Sequence, residues 1–503
     1  MINLSIKQIG LGFVSMLPLT AAILSLKPDR PKPNVIFILL DDYGYTDLGC
    51  YGSKFYETPN IDRLARQGIR FTDAYAACPV SSPTRAAIMT GRYPVNTGIT
   101  DWIPGRQATN NGRPEDKLKA LPFKLELDLK EITIAELLKK NGYTTMISGK
   151  WHLGGSPEYW PENQGFDINK GGYSAGQPNR SKTSNGYFSP YGNPRLEDGP
   201  AGEYLTDRQT DEAIKFVENN KEKPFFVYLS YYAVHNPMQG KEQLVQRFTR
   251  KADSLGLTQM QAFTREKDWI RSTMSDNFKE RIIQSNPIYA AMIYSVDENI
   301  GRLLTRLEEL QLDKNTVIIF TSDNGGLSTS EGSPTCNSPL RAGKGWLYEG
   351  GIRVPLIIKV PWKRKRPEIN QPVSSVDFYS TIADLTGSDD FKTENDGVSL
   401  VRLLRTGKMK ERPLFWHYPH YSNQGVEPGS AVRLGKYKLI DNFQKGRQEL
   451  YDLENDLSET NDISLLYPEK TKLLYTLLKE WRSKTDAKMM EPNPDWNGLT
   501  PRP

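Results

Sequence analysis

Polar side chains that could catalyse a reaction or bind a metal follow four separate apolar runs of this 503-residue sequence. They are Asp41 and Asp42 after Val35–Leu40, Lys150 and His152 after Thr144–Ser148, His235 after Phe225–Ser230, and Asp323 and Asn324 after Val317–Thr321. Apolar runs of this kind are typical of buried strands, and open parallel sheets bind ligands beyond the carboxyl ends of their strands. We therefore expect the four segments to converge on one crevice.

The acidic and amide groups among them form a ligand set made only of oxygen atoms. Asp41, Asp42 and Asp323 supply carboxylates, and Asn324 supplies an amide oxygen. Such a set suits Ca²⁺ or Mg²⁺ and not zinc, and three carboxylates in one crevice would repel one another without a cation. Asp41 and Asp42 alone could equally form a turn or cap a helix, so the metal interpretation depends on Asp323 and Asn324 joining them.

Basic side chains in the same segments could bind an anion or move a proton. The chain has only four histidines, and His152 and His235 both fall in the expected crevice. A lone histidine is usually a hydrogen-bonded core residue, and the other two, His417 and His420, could lie at the rim of the crevice. Lys344 stands in a glycine-rich run, where it could instead be an ordinary solvated lysine.

The run from Ser81 to Gly91 allows two interpretations that are compatible. Ser82-Pro83 is a common N-cap and first-turn pair, and Gly91 stands where a short helix would end. A helix N-terminus also presents free N–H groups and the positive end of the helix dipole. The same segment could therefore hold an anionic group beside Ser81 and Arg85.

The fixed positions of this run resemble the signature of the type I sulfatases, which are arylsulfatase-like hydrolases of sulfuric esters. That signature is Cys or Ser, any residue, Pro, Ser or Thr, Arg, three further residues, Leu or Met, Thr and Gly. Residues 81 to 91 meet every fixed position, with Ser81 in the reactive place. Cys78 does not fit, because Val80 stands where the signature needs proline. In this family the first residue is oxidised to formylglycine (3-oxoalanine), whose hydrate attacks sulfur.

The resemblance covers about residues 33 to 470, in the family's order, and implies a role for each residue of the crevice. The implied ligands of one Ca²⁺, with Mg²⁺ as second choice, are Asp41, Asp42, Asp323, Asn324 and the converted Ser81. The implied catalytic groups are Arg85 and Lys150, which would hold the formylglycine hydrate, and His152, which would act as a base. The implied sulfate-binding groups are Lys150, His235 and Lys344, and one of the last two would protonate the departing alcohol.

These implied roles match the chemistry of a sulfate ester on a sugar. A sugar alkoxide is a poor leaving group and needs a proton donor, and charge that builds on the sulfate needs fixed cations. Two alternatives stay open: a phosphomonoesterase or phosphodiesterase of the alkaline phosphatase superfamily that uses unmodified Ser81, and a non-catalytic protein that binds sulfated glycans. Serine at the reactive place implies a bacterial member that a radical, serine-oxidising maturation enzyme binds transiently before export.

The elements that must position these residues alternate between apolar runs and amphipathic segments, which predicts an α/β fold with a parallel sheet between helices. The resemblance implies the alkaline-phosphatase-like form of this fold, whose sheet is mixed but mostly parallel. A further strand is predicted at Val354–Val360, and helices at 58–68, Thr133–Asn141, Asp207–Asn219, Ile288–Leu310 and Phe378–Leu385. Two polar stretches, Gly154–Glu203 and Asn236–Ser285, are predicted to be long loops.

The predicted domains are a signal peptide at residues 1–26, a catalytic domain at 33–395 and a smaller C-terminal α+β subdomain at 396–503. In the subdomain, Ala431–Ile440 and Glu449–Leu453 are predicted as strands of a hairpin, followed by a helix at Pro468–Lys484. Residues 1–26 combine Lys7 with an uncharged apolar run, which is typical of a secretory signal peptide. We expect export to a bacterial periplasm without stable membrane insertion, although the run is long enough for an uncleaved anchor.

Composition excludes several other classes of protein. The net charge of +5 is mild, and no tract of lysine and arginine indicates a nucleic-acid partner. Three cysteines are too few for a disulfide scaffold, and their spacing fits no cysteine metal site. Cys50 and Cys78 could pair, but reduced, buried thiols are the expectation.

Overall fold

An eight-stranded sheet forms the centre of the computed structural model, which describes residues 32–107, 114, 116–266, 278–362, 366–388 and 394–498. Its strands are β1 Asn34–Leu40, β2 Ile69–Phe71, β3 Thr144–Gly149, β4 Ile168–Lys170, β5 Phe225–Ser230, β6 Thr316–Ser322, β7 Leu356–Lys359 and β8 Glu368–Ile369. They lie in the order β8-β2-β7-β6-β1-β5-β3-β4. The earliest strand of the chain, β1, therefore lies near the middle of the sheet.

Strand direction divides the sheet into two parts. Strands β6, β1, β5, β3 and β4 run parallel, whereas β7 is antiparallel to both of its neighbours. The chain returns from β6 to β7 through a long connection, residues 323–355, which forms loops and one four-residue helix in place of a long crossover helix, and an antiparallel neighbour allows such a return. The prediction of a mixed, mostly parallel α/β fold is confirmed, and the predicted strand at Val354–Val360 is the antiparallel β7.

Helices cover both faces of the sheet. They are α1 Pro59–Gln67, α2 Ser81–Thr90, α3 Pro94–Thr97, α4 Ile134–Lys140, α5 Leu205–Asn219, α6 Glu242–Ser254, α7 Pro287–Glu309, α8 Glu349–Ile352, α9 Asp377–Thr386, α10 Val401–Thr406 and α11 Pro468–Lys484. Because side chains alternate along a strand, Ile36 and Ile38 of β1 pack under α1, α5, α6 and α7. Val35 and Phe37 pack on the other face, under α2, α4, α9 and α10. Each face thus buries its own apolar core.

The predicted helices correspond to α1, α4, α5, α7 and α9, and local signals explain where they begin. The side chain of Thr133 accepts a hydrogen bond from the backbone N–H of Glu136, whose carboxylate accepts one from the Thr133 N–H. This capping box starts α4. At the start of α7 the side chain of Asn286 accepts hydrogen bonds from the backbone N–H groups of Ile288 and Tyr289, and Pro287 occupies the first turn. Among the described residues, no helix is both long and apolar enough to cross a membrane.

Two expectations about helices are wrong. The stretch Asn236–Ser285 contains the 13-residue helix α6, which buries Leu244, Phe248 and Ala252. These three residues recur every four positions, but the charged residues between them obscure the pattern. Helix α2 begins at Ser81, with Val80 as its N-cap, so Ser82 lies inside the first turn and does not cap the helix.

A four-stranded antiparallel sheet and α11 form the C-terminal part. Its strands are β9 Leu414–Tyr418, β10 Gly429–Leu434, β11 Tyr437–Asn442 and β12 Arg447–Asp452, in sequence order. The run predicted as one strand, Ala431–Ile440, folds back on itself at Gly435, whose φ of 60° suits glycine. The α11 helix is as predicted. Both sheets belong to one unit, Lys32–Pro503, and the boundary at residue 396 stays a prediction, as does the signal peptide, which lies outside the described residues.

The C-terminal sheet packs against the segments that carry Ser81 and Lys344. One face, with Val432, Leu439 and Leu450, packs on α11. The opposite face packs on Tyr75, Cys78, Val80, Trp346 and Ile352, among other residues. All three cysteines are free thiols; Cys78 and Cys336 are buried, and Cys50 is partly buried.

A buried ionic network joins this sheet to α8. The ammonium of Lys438 in β11 lies 3.0 Å from Glu349 Oε1 and 2.8 Å from Glu459 Oε1, and all three side chains are 0% exposed. Burial alone would raise the pKa of Glu349, but Lys438 and then Arg353 lower it to about 2, whereas burial raises the pKa of Glu459 to about 7. Lys438 therefore compensates two carboxylates that have left water.

We expect Lys438→Met to lower the free energy of unfolding by about 3–5 kcal/mol, because the change leaves a buried carboxylate uncompensated. Urea denaturation followed by circular dichroism measures the effect. Lys436→Met is the matched control, since the Lys436 ammonium pairs with Asp452 on the surface, 2.8 Å away. The control should leave the denaturation midpoint unchanged, and equal effects of the two variants would refute the stabilising role of the network.

Candidate active site

The predicted crevice residues lie together at the carboxyl ends of four adjacent strands, β6, β1, β5 and β3. Asp41 and Asp42 follow β1, Lys150 and His152 follow β3, His235 follows β5, and Asp323 and Asn324 follow β6. Ser81 and Arg85 enter from the first turns of α2, and Lys344 enters from the loop before α8. Asp42 and His152 have φ values of 58° and 60°, which residues other than glycine rarely adopt and which concentrate at functional sites.

The acidic and amide groups form one buried cluster. Asn324 Nδ2 donates a hydrogen bond to Asp42 Oδ1 over 2.8 Å, and the Asp42 N–H lies 3.2 Å from Asp323 Oδ1. Ser81 Oγ lies 3.3 Å from both Asp41 Oδ1 and Asn324 Oδ1. These five residues are at most 2% exposed. The hydroxyl of Ser81 is thus held among carboxylate and amide oxygens.

Each buried carboxylate has its own cationic partner. Arg85 contacts Asp323 Oδ2 through Nε at 2.9 Å and Nη2 at 2.7 Å. Lys150 Nζ lies 2.8 Å from Asp41 Oδ2 and 3.4 Å from Ser81 Oγ. Lys344 Nζ lies 2.8 Å from Asp42 Oδ2. Three cations from three different elements therefore compensate the three carboxylates, and one of them, Lys150, also lies beside the hydroxyl of Ser81.

The backbone before Lys150 is fixed by close contact with β5. Gly149 has φ 110°, and a Cβ atom there would lie 1.9 Å from the carbonyl oxygen of Ser230. The Lys150 N–H donates to that same oxygen over 2.7 Å. Only glycine fits at position 149, and this tight contact directs the next residue into the site.

The two histidines differ in their surroundings. His152 Nε2 contacts the carbonyl oxygen of Ile103, so this nitrogen carries the proton and Nδ1 has the lone pair. Burial, and then the charge of Lys150, lower the pKa of His152 well below its usual value, which keeps the ring neutral. His235 Nε2 lies 3.1 Å from Lys344 Nζ, while its Nδ1 lies 3.0 Å from the Asn236 carbonyl oxygen.

A cleft of about 420 Å³ opens above these groups. Its floor contains Ser81, Lys150, His152, His235 and Lys344. Its outer part is lined by side chains from four loops, among them Trp102, Gln177, Glu331, Asn423 and Gln424. The cleft is large enough for a sugar ring with its sulfate and presents both cations and neutral polar groups.

Sequence reasoning identified part of this lining and missed the rest. Trp102 and residues 174–177 line the cleft, the latter from the predicted long loop Gly154–Glu203, whereas Glu331, Asn423 and Gln424 were not anticipated. These three residues lie in irregular loops that carry no motif. His417 and His420 are buried and do not line the cleft. His417 is hydrogen-bonded to Ser430 and to the carbonyl oxygen of Lys488, and His420 is hydrogen-bonded to Thr100.

The donor set fits a divalent cation. Asp41, Asp42 and His235 offer ligand atoms that lie within 4.8 Å of one another. His235 Nε2, however, faces the ammonium of Lys344, and its lone pair is engaged there. The oxygens of Asp41, Asp42, Asp323 and Asn324 are therefore the better set, and their chemistry favours Ca²⁺ or Mg²⁺.

The Trp102 loop is held at three points around a buried acid. Asp101 Oδ1 accepts hydrogen bonds from Tyr418 Oη at 2.7 Å and from the Trp102 N–H at 2.8 Å. The Ile103 N–H donates to Ser82 Oγ, and the Ile103 carbonyl oxygen contacts His152. Trp102 itself is 38% exposed. This loop thus presents a fixed aromatic ring to the cleft.

Comparisons with known proteins agree with this arrangement. A family model described as Sulfatase matches residues 33–388, and one described as N-sulphoglucosamine sulphohydrolase, C-terminal, matches residues 342–486. The chain is 31% identical to a protein named Sulfatase from Formosa agariphila, over 93% of this chain and 92% of that protein. It is 30% identical to N-acetylgalactosamine-6-sulfatase of Canis lupus familiaris, over 85% and 75% of the two chains.

A solved structure extends the likeness to three dimensions. It is Ps i-CgsB in complex with k-i-k-neocarrahexaose, to which this chain is 30% identical with a TM-score of 0.70. The match covers 92% of this chain and 94% of that one. The likeness therefore includes the catalytic core and the C-terminal sheet.

Asp101 generates a prediction about pH. Burial raises its pKa to about 7, above the value near 3.9 of an unfolded chain, so its contribution to stability is full below about pH 4 and is lost as the pH rises through 7. Asp101→Asn does not titrate. The free energy of unfolding of the wild type minus that of the variant should fall, by up to about 4 kcal/mol, between about pH 4 and 8.

Urea denaturation of both proteins across this pH range measures the difference. Asp253→Asn, at an exposed position of α6, is the control and should give a nearly constant difference. A constant difference for Asp101→Asn as well would mean that the carboxyl of Asp101 is ionised throughout.

Proposed function

The chain belongs to the sulfatase family and is a sulfuric ester hydrolase, and from this premise we propose that it removes sulfate from sulfated carbohydrates. The observation that carries the proposal is the position of Ser81. Its hydroxyl lies at the floor of the cleft, 3.3 Å from Asp41 and Asn324 and 3.4 Å from Lys150. A nucleophile placed among metal-type ligands and cations suits attack on an anionic ester.

The carbohydrate part of the proposal draws on the cleft and on the relatives. The outer lining combines an exposed indole with amide side chains, which suits the C–H face and the hydroxyls of a sugar. One relative is named for N-acetylgalactosamine 6-sulfate, and Ps i-CgsB was solved with a neocarrahexaose. Both names are in keeping with a saccharide substrate for this chain.

We propose that Ser81 acts after oxidation to formylglycine by a serine-oxidising radical enzyme that binds the chain before export to the periplasm. The hydrate of that aldehyde supplies one hydroxyl to attack sulfur and a second whose deprotonation releases sulfate. Arg85 orients the site through Asp323, and Lys150, 3.4 Å from Ser81 Oγ, holds the reacting oxygen. His152 is neutral and has its Nδ1 lone pair available, which suits the base that removes the second proton.

The ligands of one Ca²⁺, with Mg²⁺ as second choice, would be Asp41, Asp42, Asp323, Asn324 and position 81. When bound, the cation would offset the carboxylate charge and lower the pKa of an oxygen at position 81. Lys344 and His235, 3.1 Å apart at the edge of this cluster, would bind the sulfate oxygens. One of these two would give its proton to the departing alcohol, because an unprotonated sugar alkoxide leaves slowly.

We expect Ser81→Ala to lower sulfate release from sulfated mono- and disaccharides by at least about a thousandfold, because the reacting group is removed. Ser82→Ala is the matched control. It removes only the acceptor of the Ile103 N–H, a bond of 3.1 Å, and should retain most of the activity.

Two further measurements separate a sulfatase from a phosphatase. The wild-type peptide that contains Ser81 should be lighter by a pair of hydrogen atoms in mass spectrometry. Sulfate release from at least one sugar should also exceed phosphate release from an aryl phosphate. An unmodified Ser81 together with faster phosphate release would place the protein among phosphomonoesterases or phosphodiesterases.

Chelation with EDTA should abolish activity and lower the thermal midpoint, since an ion that binds only the folded state stabilises it, by about 3–4 kcal/mol at 100 to 1,000 times its dissociation constant. Metal analysis of two variants identifies the ligands. Asp42→Asn should lose the ion, whereas His235→Gln should keep it if the set is made of oxygens. Loss of the ion from His235→Gln would instead favour the Asp41, Asp42 and His235 set, and absence of any ion from the wild type would refute the site.

A further inference from the structure

The charge of the side chains that line the cleft changes from positive at the floor to negative at the outer wall. The floor presents the cationic groups Lys150 and Lys344. The outer wall contains Glu331, an acidic residue that lines the cleft above the floor. A substrate that places its sulfate on the floor therefore carries its other substituents toward a negative charge.

Neutral donors fix the position of Glu331. Its Oε1 accepts hydrogen bonds from Asn423 Nδ2 and, over 2.9 Å, from Gln424 Nε2. Its backbone oxygen accepts from Asn236 Nδ2 over 3.1 Å, next to His235. Amide donors orient a carboxylate without cancelling its charge, so Glu331 keeps a negative charge facing the cleft.

The wall that holds Glu331 is tied to the loop that holds Lys344. The carbonyl oxygen of Gln424 accepts a hydrogen bond from Trp346 Nε1 over 3.0 Å, and Gln424 is only 2% exposed. Glu331, His235 and Lys344 line the same cleft, and the backbone of Glu331 is hydrogen-bonded to Asn236, the residue after His235. Glu331 therefore borders the part of the cleft just outside the sulfate site, where the other substituents of a sugar would lie.

We propose that Glu331 is a specificity-determining residue, which selects sugars that bear one sulfate and neutral hydroxyls and discriminates against sugars with a second anionic group beside the first. This inference rests on the proposed function. A carboxylate accepts hydrogen bonds from sugar hydroxyls, which a second sulfate or a uronate carboxylate cannot donate. It also repels such a group directly, and specificity of this kind comes from disfavouring the wrong ligand.

The test compares monosulfated and disulfated forms of the same sugars, namely galactose, N-acetylgalactosamine and N-acetylglucosamine, with an aryl sulfate that lacks a second anion. The wild type should have a kcat/KM at least about tenfold higher for the monosulfated form of its best sugar. Glu331→Gln keeps the shape of the side chain and should reduce that ratio roughly fivefold to tenfold, chiefly by lowering KM for the disulfated form. Its activity on the aryl sulfate should be unchanged, which shows that the variant is folded.

Glu222→Gln is the matched control. Glu222 is exposed and precedes β5, at the edge of the sheet opposite the site, so the same change of charge there should leave the ratio unaltered. The wild-type ratio should also shrink as salt is added, because screening weakens repulsion but not steric exclusion.

The outcomes separate the two levels of the argument. The enzyme could release sulfate from a sugar while Glu331→Gln leaves the ratio of kcat/KM between monosulfated and disulfated forms unchanged. That result would overturn the role of Glu331 alone, and so would a wild-type preference for the disulfated form. Release of sulfate from the aryl ester and from none of the sugars would overturn the proposed carbohydrate substrate, and with it this inference.

Discussion

The burial of three carboxylates at the end of two adjacent strands is the constraint on which the rest of the structure depends. Asp41, Asp42 and Asp323 are at most 2% exposed, and ionised groups removed from water are costly unless cations compensate them. The chain provides Arg85, Lys150 and Lys344 at 2.7–2.8 Å from these carboxylates. Because each cation belongs to a different segment, charge compensation helps to hold α2, the end of β3 and the loop before α8 around the central strand.

The C-terminal sheet extends the same principle outward. The loop with Lys344 leads into α8, and Glu349 of α8 is bound by Lys438 in the C-terminal sheet. Trp346, two residues after Lys344, packs on that same sheet. The sheet therefore braces one wall of the active site through a second buried set of charges, although it supplies no group to the floor of the cleft. This dependence is a reason for the two parts to form one unit.

The parts of the fold and site that the sequence could predict are those where local pattern and chemistry coincide. The all-apolar run of β1 and the polar residues directly after it identify both a buried strand and a site, and the run from Ser81 to Gly91 identifies a helix and a reactive residue. Helix α6 was missed because its apolar residues recur only every four positions among charged ones. The direction of β7 depends on the path of the long connection between β6 and β7, and the periodicity of apolar residues gives no information about that path.

The lining of the outer cleft could not be predicted for a related reason. Groups on the floor must match the geometry of one sulfate and one metal site, so their residue types and spacing are restricted and visible in the sequence. Glu331, Asn423 and Gln424 meet only after two distant loops fold together, at 2.9 Å between Gln424 Nε2 and Glu331 Oε1, and each is an ordinary polar residue on its own. Loops tolerate substitution because few buried contacts constrain them. Sequence motifs therefore identify the residues that carry out the reaction, whereas the choice of sugar depends on tertiary contacts between loops. Among the properties of that outer wall, its charge acts over the longest distance.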